Sequence, residues 1–204
     1  MHIPGAGTEE IAVLTFDEAL ERSGRSGGYD PEKWLYVPDF YTEYRYILGT
    51  RGARPLICVG VNPSTAAPDD LDATLKSVSR IAASNGFDSF VMLNVYAQRA
   101  TRPGDMERTR NELLHRENLA AFAYVLAHAG DSPAVWAAWG NIIEMRGWLR
   151  DCVLDMVSLG DRYGARWYTA GKRSVRGHPH HPLYLKKDTP LDPFDAREYC
   201  LECL

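Results

Sequence analysis

The feature that most constrains the fold is an unbroken apolar run, Leu-Ile-Cys-Val-Gly-Val, that begins at Leu56 and is followed directly by Asn-Pro-Ser-Thr-Ala. A short continuous apolar run is typical of a strand that is buried on both faces of a parallel sheet. Asn62 precedes a proline, which favours an extended backbone at that position. Ligands of open α/β sheets bind just beyond the carboxyl ends of such strands. The turn is therefore a candidate site, and the alternative is an ordinary strand exit.

Further apolar runs follow at intervals that predict an alternation of strands and helices. The predicted strands are residues 56–61, 90–95, 133–139 and 166–170. Helical spacing of apolar residues, with N-caps at Asp72, Thr109 and Asn141, predicts a helix between each pair of strands. This alternation predicts an α/β fold, a three-layer α/β/α sandwich around a mostly parallel four-stranded sheet. Aromatic and β-branched residues at 34–40 and 44–48 indicate additional strands at a sheet edge.

Length and composition indicate one globular domain. A chain of 204 residues with 45% hydrophobic and 25% charged residues is long enough for one sizeable core and too short for two. It shows neither an apolar stretch of membrane-spanning length nor a signal-peptide pattern, so we expect no membrane association and a cytoplasmic location. The predicted single domain 1–204 has an irregular arm or lid at 1–30, an α/β core at 31–190 and a C-terminal helix at 191–204, with Asp192 as N-cap.

Neither the cysteines nor the histidines predict a metal site. The cysteines are Cys58, Cys152, Cys200 and Cys203. The first two lie among apolar residues and are expected to be buried thiols, and the last two form a lone Cys-x-x-Cys without a second ligand pair. His178, His180 and His181 have no carboxylate or cysteine at ligand spacing. We therefore expect no metal and no cofactor.

Basic residues are concentrated in one segment. The chain has a formal net charge of −4, yet residues 162–187 contain seven lysines and arginines and no acidic residue. Such a block on an acidic chain is typical of a surface that contacts phosphate, above all that of nucleic acid. Arg173 and Arg176 in this block, and Arg99 in the long polar loop 98–108, are therefore candidate DNA phosphate contacts. The alternative is a solvated loop that happens to be basic.

Three short motifs, in this order and at these predicted strand ends, resemble the uracil-DNA glycosylase superfamily. They are Gly60-Val61-Asn62-Pro63, Val91-Met92-Leu93-Asn94 and His181-Pro182-Leu183-Tyr184-Leu185. The resemblance implies a hydrolase that flips a base out of DNA and cleaves its N-glycosidic bond without a metal. The partner that it implies is DNA, with no obligate protein partner.

A second resemblance is to a small, poorly characterised family of bacterial and phage domains, and it spans residues 40–187. The motifs that carry it are Asn-Pro-Ser-Thr-Ala at 62–66, Asp-x-Thr at 72–74, Arg-Ala-Thr at 99–101, Trp-Gly at 139–140 and His-Pro-Leu-Tyr at 181–184. This resemblance covers most of the chain but does not by itself imply an activity.

The superfamily resemblance implies catalytic roles for matched residues. Asn62 matches the residue that orients the attacking water, and His181 matches the histidine that hydrogen-bonds the leaving base. Because an amide cannot take a proton, this predicts either a slow enzyme or one with a separate carboxylate, such as Asp70 or Asp72. Each residue has a structural alternative, since Asn commonly satisfies backbone groups at turns, Asp72 fits a helix N-cap, and a histidine before proline can be structural.

The same resemblance implies binding roles. The base pocket would be formed by Asn94, Pro63, Ser64 and Trp139. Asn94 matches the residue that reads the base edge, and Leu183 and Tyr184 match the wedge that fills the gap left by an extruded base. The structural alternatives are a turn role for Asn94 and a core position for Trp139.

The chain also departs from the superfamily pattern. The water-activating Asp of its fastest branch is absent, and Ser64-Thr65 replace Tyr-His after Pro63. We therefore expect a different or bulkier base, such as a modified phage base, as readily as uracil. Two rival hypotheses are an enzyme that processes free nucleotides or nucleosides at the same edge, and a non-catalytic nucleic-acid-binding module.

Overall fold

A computed structural model describes residues 1–5, 7–25 and 27–204, and in these ranges seven strands form one mixed sheet. The strands are β1 (Trp34–Val37), β2 (Ile47–Thr50), β3 (Pro55–Gly60), β4 (Ser89–Asn94), β5 (Ala134–Ala137), β6 (Arg166–Ala170) and β7 (Leu191–Pro193). The helices are α1 (Phe16–Arg22), α2 (Ala73–Ser84), α3 (Glu112–His128), α4 (Trp148–Arg162) and α5 (Ala196–Cys203). The sheet order is β1-β2-β4-β3-β5-β6-β7.

The centre of the sheet is parallel, as the alternation of strands and helices predicts. Three pairs of strands are parallel: β4 with β3, β3 with β5, and β5 with β6. Alternate residues of β3 pack into two separate apolar cores, with Leu56 against α2 on one face and Ile57 among α1, α3 and α4 on the other. Because both faces are covered, the central strands read as continuous apolar runs. The α/β class is therefore confirmed.

The sheet is larger and less parallel than predicted. β1 and β2 form the antiparallel pair expected at one edge, and β7 adds an antiparallel strand at the other. The prediction that Asp192 caps the C-terminal helix is wrong, because Asp192 lies in β7. The N-cap is Asp195, whose side chain accepts the Glu198 N–H at 2.8 Å. Pro193 is compatible with β7 because an edge strand tolerates a residue without an N–H.

Two further helix starts differ from the prediction. Asn111, and not Thr109, caps α3, where its side chain accepts the N–H groups of Leu113 and Leu114. Asn141 lies in a 3₁₀ helix (Gly140–Met145), and α4 begins later, at Trp148. The short 3₁₀ helix keeps residues 140–145 close to the end of β5.

Much of the segment 1–30 packs against the rest of the chain, although an irregular arm or lid was expected. The predicted capping box of Thr15 and Glu18 is present at α1, and Phe16 at the start of that helix is buried in the core. Near the N-terminus, the His2 backbone N–H donates to the Thr101 hydroxyl at 2.6 Å, and the Thr101 N–H donates back to the His2 carbonyl. No helix in the described ranges is long and apolar enough to cross a membrane.

Candidate functional site

A cavity of about 310 Å³ lies at the carboxyl edge of β3 and β4. Its size falls at the lower end of small-molecule binding sites. Gly60 and Asn94 end the two strands and line it. The predicted site residues that also line it are Asn62, Pro63, Ser64, Asp72, His181 and Leu183. The three motifs that are far apart in the sequence therefore meet in one place, as the topology of a parallel sheet predicts.

Asn94 lies in this cavity with its hydrogen-bonding capacity unused. The residue is 1% exposed, and neither Nδ2 nor Oδ1 has a hydrogen-bond partner among the described residues. Its backbone carbonyl is satisfied, since it accepts from Asn118 Nδ2 at 2.9 Å. Leaving a buried polar group unpaired costs about 1–3 kcal/mol. A ligand that offers an acceptor and a donor side by side would satisfy both atoms of the Asn94 amide.

Gly60 leaves the space next to this amide open. A Cβ atom at Gly60 would lie 3.0 Å from Asn94 Oδ1 and 2.6 Å from Met92 Cε. Both distances are shorter than ordinary van der Waals contacts, so a side chain here would press on Met92 and on the amide. The Gly-x-Asn-Pro sequence therefore has a packing reason for its first residue.

Asn62 is half-buried, and its amide orientation is fixed by the surrounding backbone. Its Nδ2 donates to the Ala100 carbonyl at 2.6 Å and to the Pro63 carbonyl at 3.1 Å. Both N–H groups of the amide therefore donate to backbone carbonyls of the chain. This is the structural role at a turn that was the alternative to a catalytic role for Asn62. Its Oδ1 has no donor within the described residues and remains able to accept a hydrogen bond.

Asp72 and His181 line the same cavity. The predicted cap is confirmed, because Asp72 Oδ1 accepts the Leu75 N–H at 2.9 Å. Burial lowers the pKa of His181 below its ordinary value of 6.5, the neighbouring His180 lowers it further, and Asp72 opposes the shift. The Leu183 N–H donates to His181 Nδ1 at 3.2 Å, so the neutral ring carries its proton on Nε2.

Two of the predicted binding residues are buried away from the cavity. Trp139 is fully buried in the core, and its Nε1 donates to the Tyr199 hydroxyl at 3.0 Å. This is the core position that was the structural alternative, and it does not support stacking of Trp139 on a base. Arg99 is also fully buried, and it donates to the Ser64 carbonyl and to the Tyr36 hydroxyl. This position does not support a surface phosphate contact. Arg99 instead stabilises the turn after β3 through its hydrogen bond to the Ser64 carbonyl.

The loop after β6 presents different side chains to the cavity and to solvent. His181 and Leu183 line the cavity, whereas Tyr184 is 92% exposed with a φ of 73°. Arg173 lies over the Phe194 ring at 5.9 Å, and Arg176 forms an ion pair with Glu144. Both arginines are exposed, so the surface placement that was expected for them is what the structure shows.

Arg45 lines the cavity and was missed by the sequence reasoning. It is 1% exposed, its Nη1 donates to the Ala66 carbonyl at 2.9 Å, and its Nε has no partner among the described residues. A usable signal existed, because an arginine between two aromatic residues, Tyr44 and Tyr46, just before a strand points to a buried charge.

The cysteines are all free in the structure. The predicted burial of Cys58 and Cys152 is confirmed, and Cys200 and Cys203 are half-buried on α5. Within the described ranges, no group of three or more His, Cys, Asp or Glu side chains is placed to hold a metal ion.

Comparison with known proteins gives one match. Residues 45–183, more than half of the chain, match the family described as "Protein of unknown function (DUF1643)". No curated protein and no solved structure gives a significant match. The matched range begins at Arg45 and ends at Leu183, so it contains every residue that lines the cavity. The chain belongs to the DUF1643 family.

Proposed function

We propose that the protein is a hydrolase of N-glycosidic bonds that accepts a flipped-out base of DNA, normal or modified, in the cavity. The observation that carries the proposal is the buried, unpartnered amide of Asn94 in a cavity that also holds Asn62 and His181. An amide places a donor beside an acceptor, which matches the hydrogen-bonding edge of a base. The resemblance to the uracil-DNA glycosylase superfamily supports the same assignment.

His181 would stabilise the departing base. Cleavage of the bond to deoxyribose leaves negative charge on the base as an oxocarbenium-like sugar develops. Since the pKa of His181 is lowered, the ring is neutral near pH 7 and can donate a hydrogen bond from Nε2 to that charge. The imidazole does not have to transfer its proton for this role.

Asn62 would orient the attacking water molecule, and Asp72 would accept its proton. Asn62 Oδ1 is the free acceptor of a rigidly held amide and can orient one water molecule, but it cannot remove its proton. Asp72 lines the same cavity and uses one carboxylate oxygen to cap α2, which leaves the other to accept the proton. Leu183 and the exposed Tyr184 beside it would occupy the space that the base leaves in the duplex.

The test is release of a base from DNA. Purified protein is incubated with single-stranded and duplex oligonucleotides that carry normal, deaminated or modified bases, and free base is detected by mass spectrometry alongside alkali-induced strand cleavage. We expect release that is lost in His181→Ala and retained in His128→Ala, which changes an exposed histidine at the end of α3. If no DNA base is released while free nucleotides or nucleosides are converted, the proposal is wrong.

A further inference from the structure

Two buried arginines next to the cavity form no ion pair with an acidic side chain among the described residues. Arg45 is 1% exposed and Arg99 is 0% exposed. None of the ion pairs in the described part of the chain involves either of them. Buried charges in proteins are normally paired, because removing an ion from water costs several kcal/mol. The two arginines therefore carry more positive charge than the single carboxylate of Asp72, which lines the cavity, can neutralise.

Arg45 is the member of the pair that faces the ligand space. It lines the cavity, whereas Arg99 does not, and its Nε is buried without an acceptor among the described residues. Burial and the charge of Arg99 lower the pKa of Arg45, and Tyr36 and Asp72 only partly offset them. An anionic ligand group would supply the missing acceptor and the missing charge at once.

The first turn of α2 faces the same cavity. The N–H groups of Ala73 and Thr74 belong to the first turn of a 12-residue helix and have no partner within it. Both residues line the cavity, and a helix N-terminus favours a negative charge. The third N–H, that of Leu75, is taken by Asp72, whose carboxylate opposes an anion at this point. Arg45 and Arg99 together outweigh that single negative charge.

We propose that the cavity binds a nucleotide through its phosphate, with Arg45 and the start of α2 holding the phosphate while Asn94 reads the base. This inference rests on the proposed function, because it takes the occupant of the Asn94 side to be a base. Arg45 lies two residues before β2, and β2 lies next to β4, which ends at Asn94. Neighbouring strands are about 5 Å apart, so one nucleotide can reach from the phosphate group to the base edge.

The phosphate has two possible sources, and the chemistry of its recognition is the same for both. It is either the backbone phosphate that flanks a flipped-out nucleotide of DNA or the 5′-phosphate of a free nucleoside monophosphate. In both cases, a nucleoside without phosphate is a poor ligand. The competing explanation is that Arg45 only holds the Ala66 carbonyl in place.

The first experiment measures binding to the intact protein by calorimetry, using inorganic phosphate, deoxynucleoside 5′-monophosphates and the matching deoxynucleosides. For the unmodified protein we expect each monophosphate to bind at least about tenfold more tightly than its nucleoside, as for a charged hydrogen bond. This comparison needs no variant, so a folding defect cannot obscure it. Equal affinity for monophosphates and nucleosides overturns the proposal.

Variants then locate the site. Arg45→Met keeps most of the aliphatic part of the buried side chain but removes its charge, and Arg150→Met, at an exposed position on α4 outside the basic block, is the matched control. We expect inorganic phosphate to raise the melting temperature of the unmodified protein and of Arg150→Met but not that of Arg45→Met. If Arg45→Met does not fold, Arg45→Lys keeps the charge and is expected to weaken phosphate binding. Phosphate binding that is unchanged in the folded Arg45 variant refutes the proposal.

A final pair of measurements identifies the source and separates this inference from the proposed function. A methylphosphonate that replaces the phosphate beside the target base removes one backbone charge. Slower base release from that DNA assigns the site to DNA, and an unchanged rate together with tight monophosphate binding assigns it to free nucleotides. Base release without any effect of phosphate refutes this inference alone, whereas phosphate-dependent binding without bond cleavage refutes the proposed function alone.

Discussion

Two clusters of polar side chains, each built around buried members, differ in how their hydrogen bonds are completed. In the closed cluster (Trp139, Glu144, His178 and Tyr199), the fully buried His178 bonds to Tyr199 and to Glu144 at 2.8 Å each, and Tyr199 also accepts from Trp139. In the open cluster (Arg45, Asn62, Asn94 and His181), the Asn94 amide and Arg45 Nε have no partner among the described residues. Satisfied polar groups stabilise a fold, whereas buried polar groups left unsatisfied beside a cavity are available to a ligand. We therefore expect changes in the two clusters to affect different properties.

The largest expected effect is on activity, in the open cluster. Asn94→Ala should slow base release by about 100-fold or more, as the loss of one preorganised hydrogen-bonding group does in other enzymes. The free energy of unfolding should stay within about 1 kcal/mol, because the amide makes no hydrogen bond to the described part of the chain. Single-turnover rates and urea unfolding measure the two effects.

The matched control for Asn94→Ala is another buried asparagine. Asn111→Ala removes the N-cap of α3 and should lower the free energy of unfolding by about 1 kcal/mol without changing the rate. A comparable loss of stability in Asn94→Ala would show that its amide is structural and that the distinction between the clusters does not hold.

The second effect is on stability, in the closed cluster. Tyr199→Phe leaves Trp139 Nε1 and His178 Nδ1 without their common partner and should lower the free energy of unfolding by about 2 kcal/mol. The rate of base release per folded molecule should not change. Tyr163→Phe, at an exposed position after α4, should leave both quantities unchanged. A tenfold loss of rate in Tyr199→Phe would contradict the assignment of this cluster to stability alone.

A smaller effect is expected on the surface of the loop that joins the two clusters. The double change Arg173→Gln and Arg176→Gln should weaken DNA binding and make the dependence of log affinity on log salt shallower by about 2, one for each phosphate that an arginine no longer neutralises. Binding is measured by fluorescence anisotropy over a series of salt concentrations. Arg80→Gln with Arg150→Gln, two exposed arginines outside the basic block, should leave the slope unchanged. The same slope change in both pairs would mean that the loop does not bind DNA.

The smallest effect concerns pH and His181. Its pKa is lowered in the folded protein mainly by burial, so below about pH 6.5 the unfolded chain binds more protons than the folded one. The free energy of unfolding should therefore fall as the pH falls through this range, and it should do so less in His181→Gln. Urea unfolding at about pH 8 and about pH 5 measures the difference. An identical pH dependence in both proteins would show that His181 is not buried in its neutral form.

The sequence predicted most where burial on both faces leaves a simple pattern. β3 and β4 were placed within one residue because they are continuous apolar runs. β7 was missed because Leu191–Pro193 has only three residues, two of them exposed, and reads as the start of a helix. The sequence pattern therefore predicts the strands in the centre of the sheet, but it does not predict the short, exposed strand at its edge.

The candidate site shows the same difference between residues that the sequence pattern could place and residues that it could not. Asn62 and Asn94 could be placed together because the carboxyl ends of parallel strands share one edge of the sheet. Arg45 precedes a strand, and it reaches this edge only because β2 runs antiparallel to β4. Arg99 was expected at the surface, but contacts with Tyr36 and Ser64, both far away in sequence, bury it. Charge alone does not distinguish a buried arginine from an exposed one.

The missing side chain at Gly60 makes the depth of the cavity depend on a single methyl group. Gly60→Ala would bring a carbon atom to 3.0 Å from the side-chain Oδ1 of Asn94 and would displace the end of the Met92 side chain. A small ring could still enter such a shallower cavity, whereas a base with a bulky substituent could not. Residue 60 is therefore a position at which the range of accepted bases could be narrowed by design while Asn62, Asp72, Asn94 and His181 keep their identities.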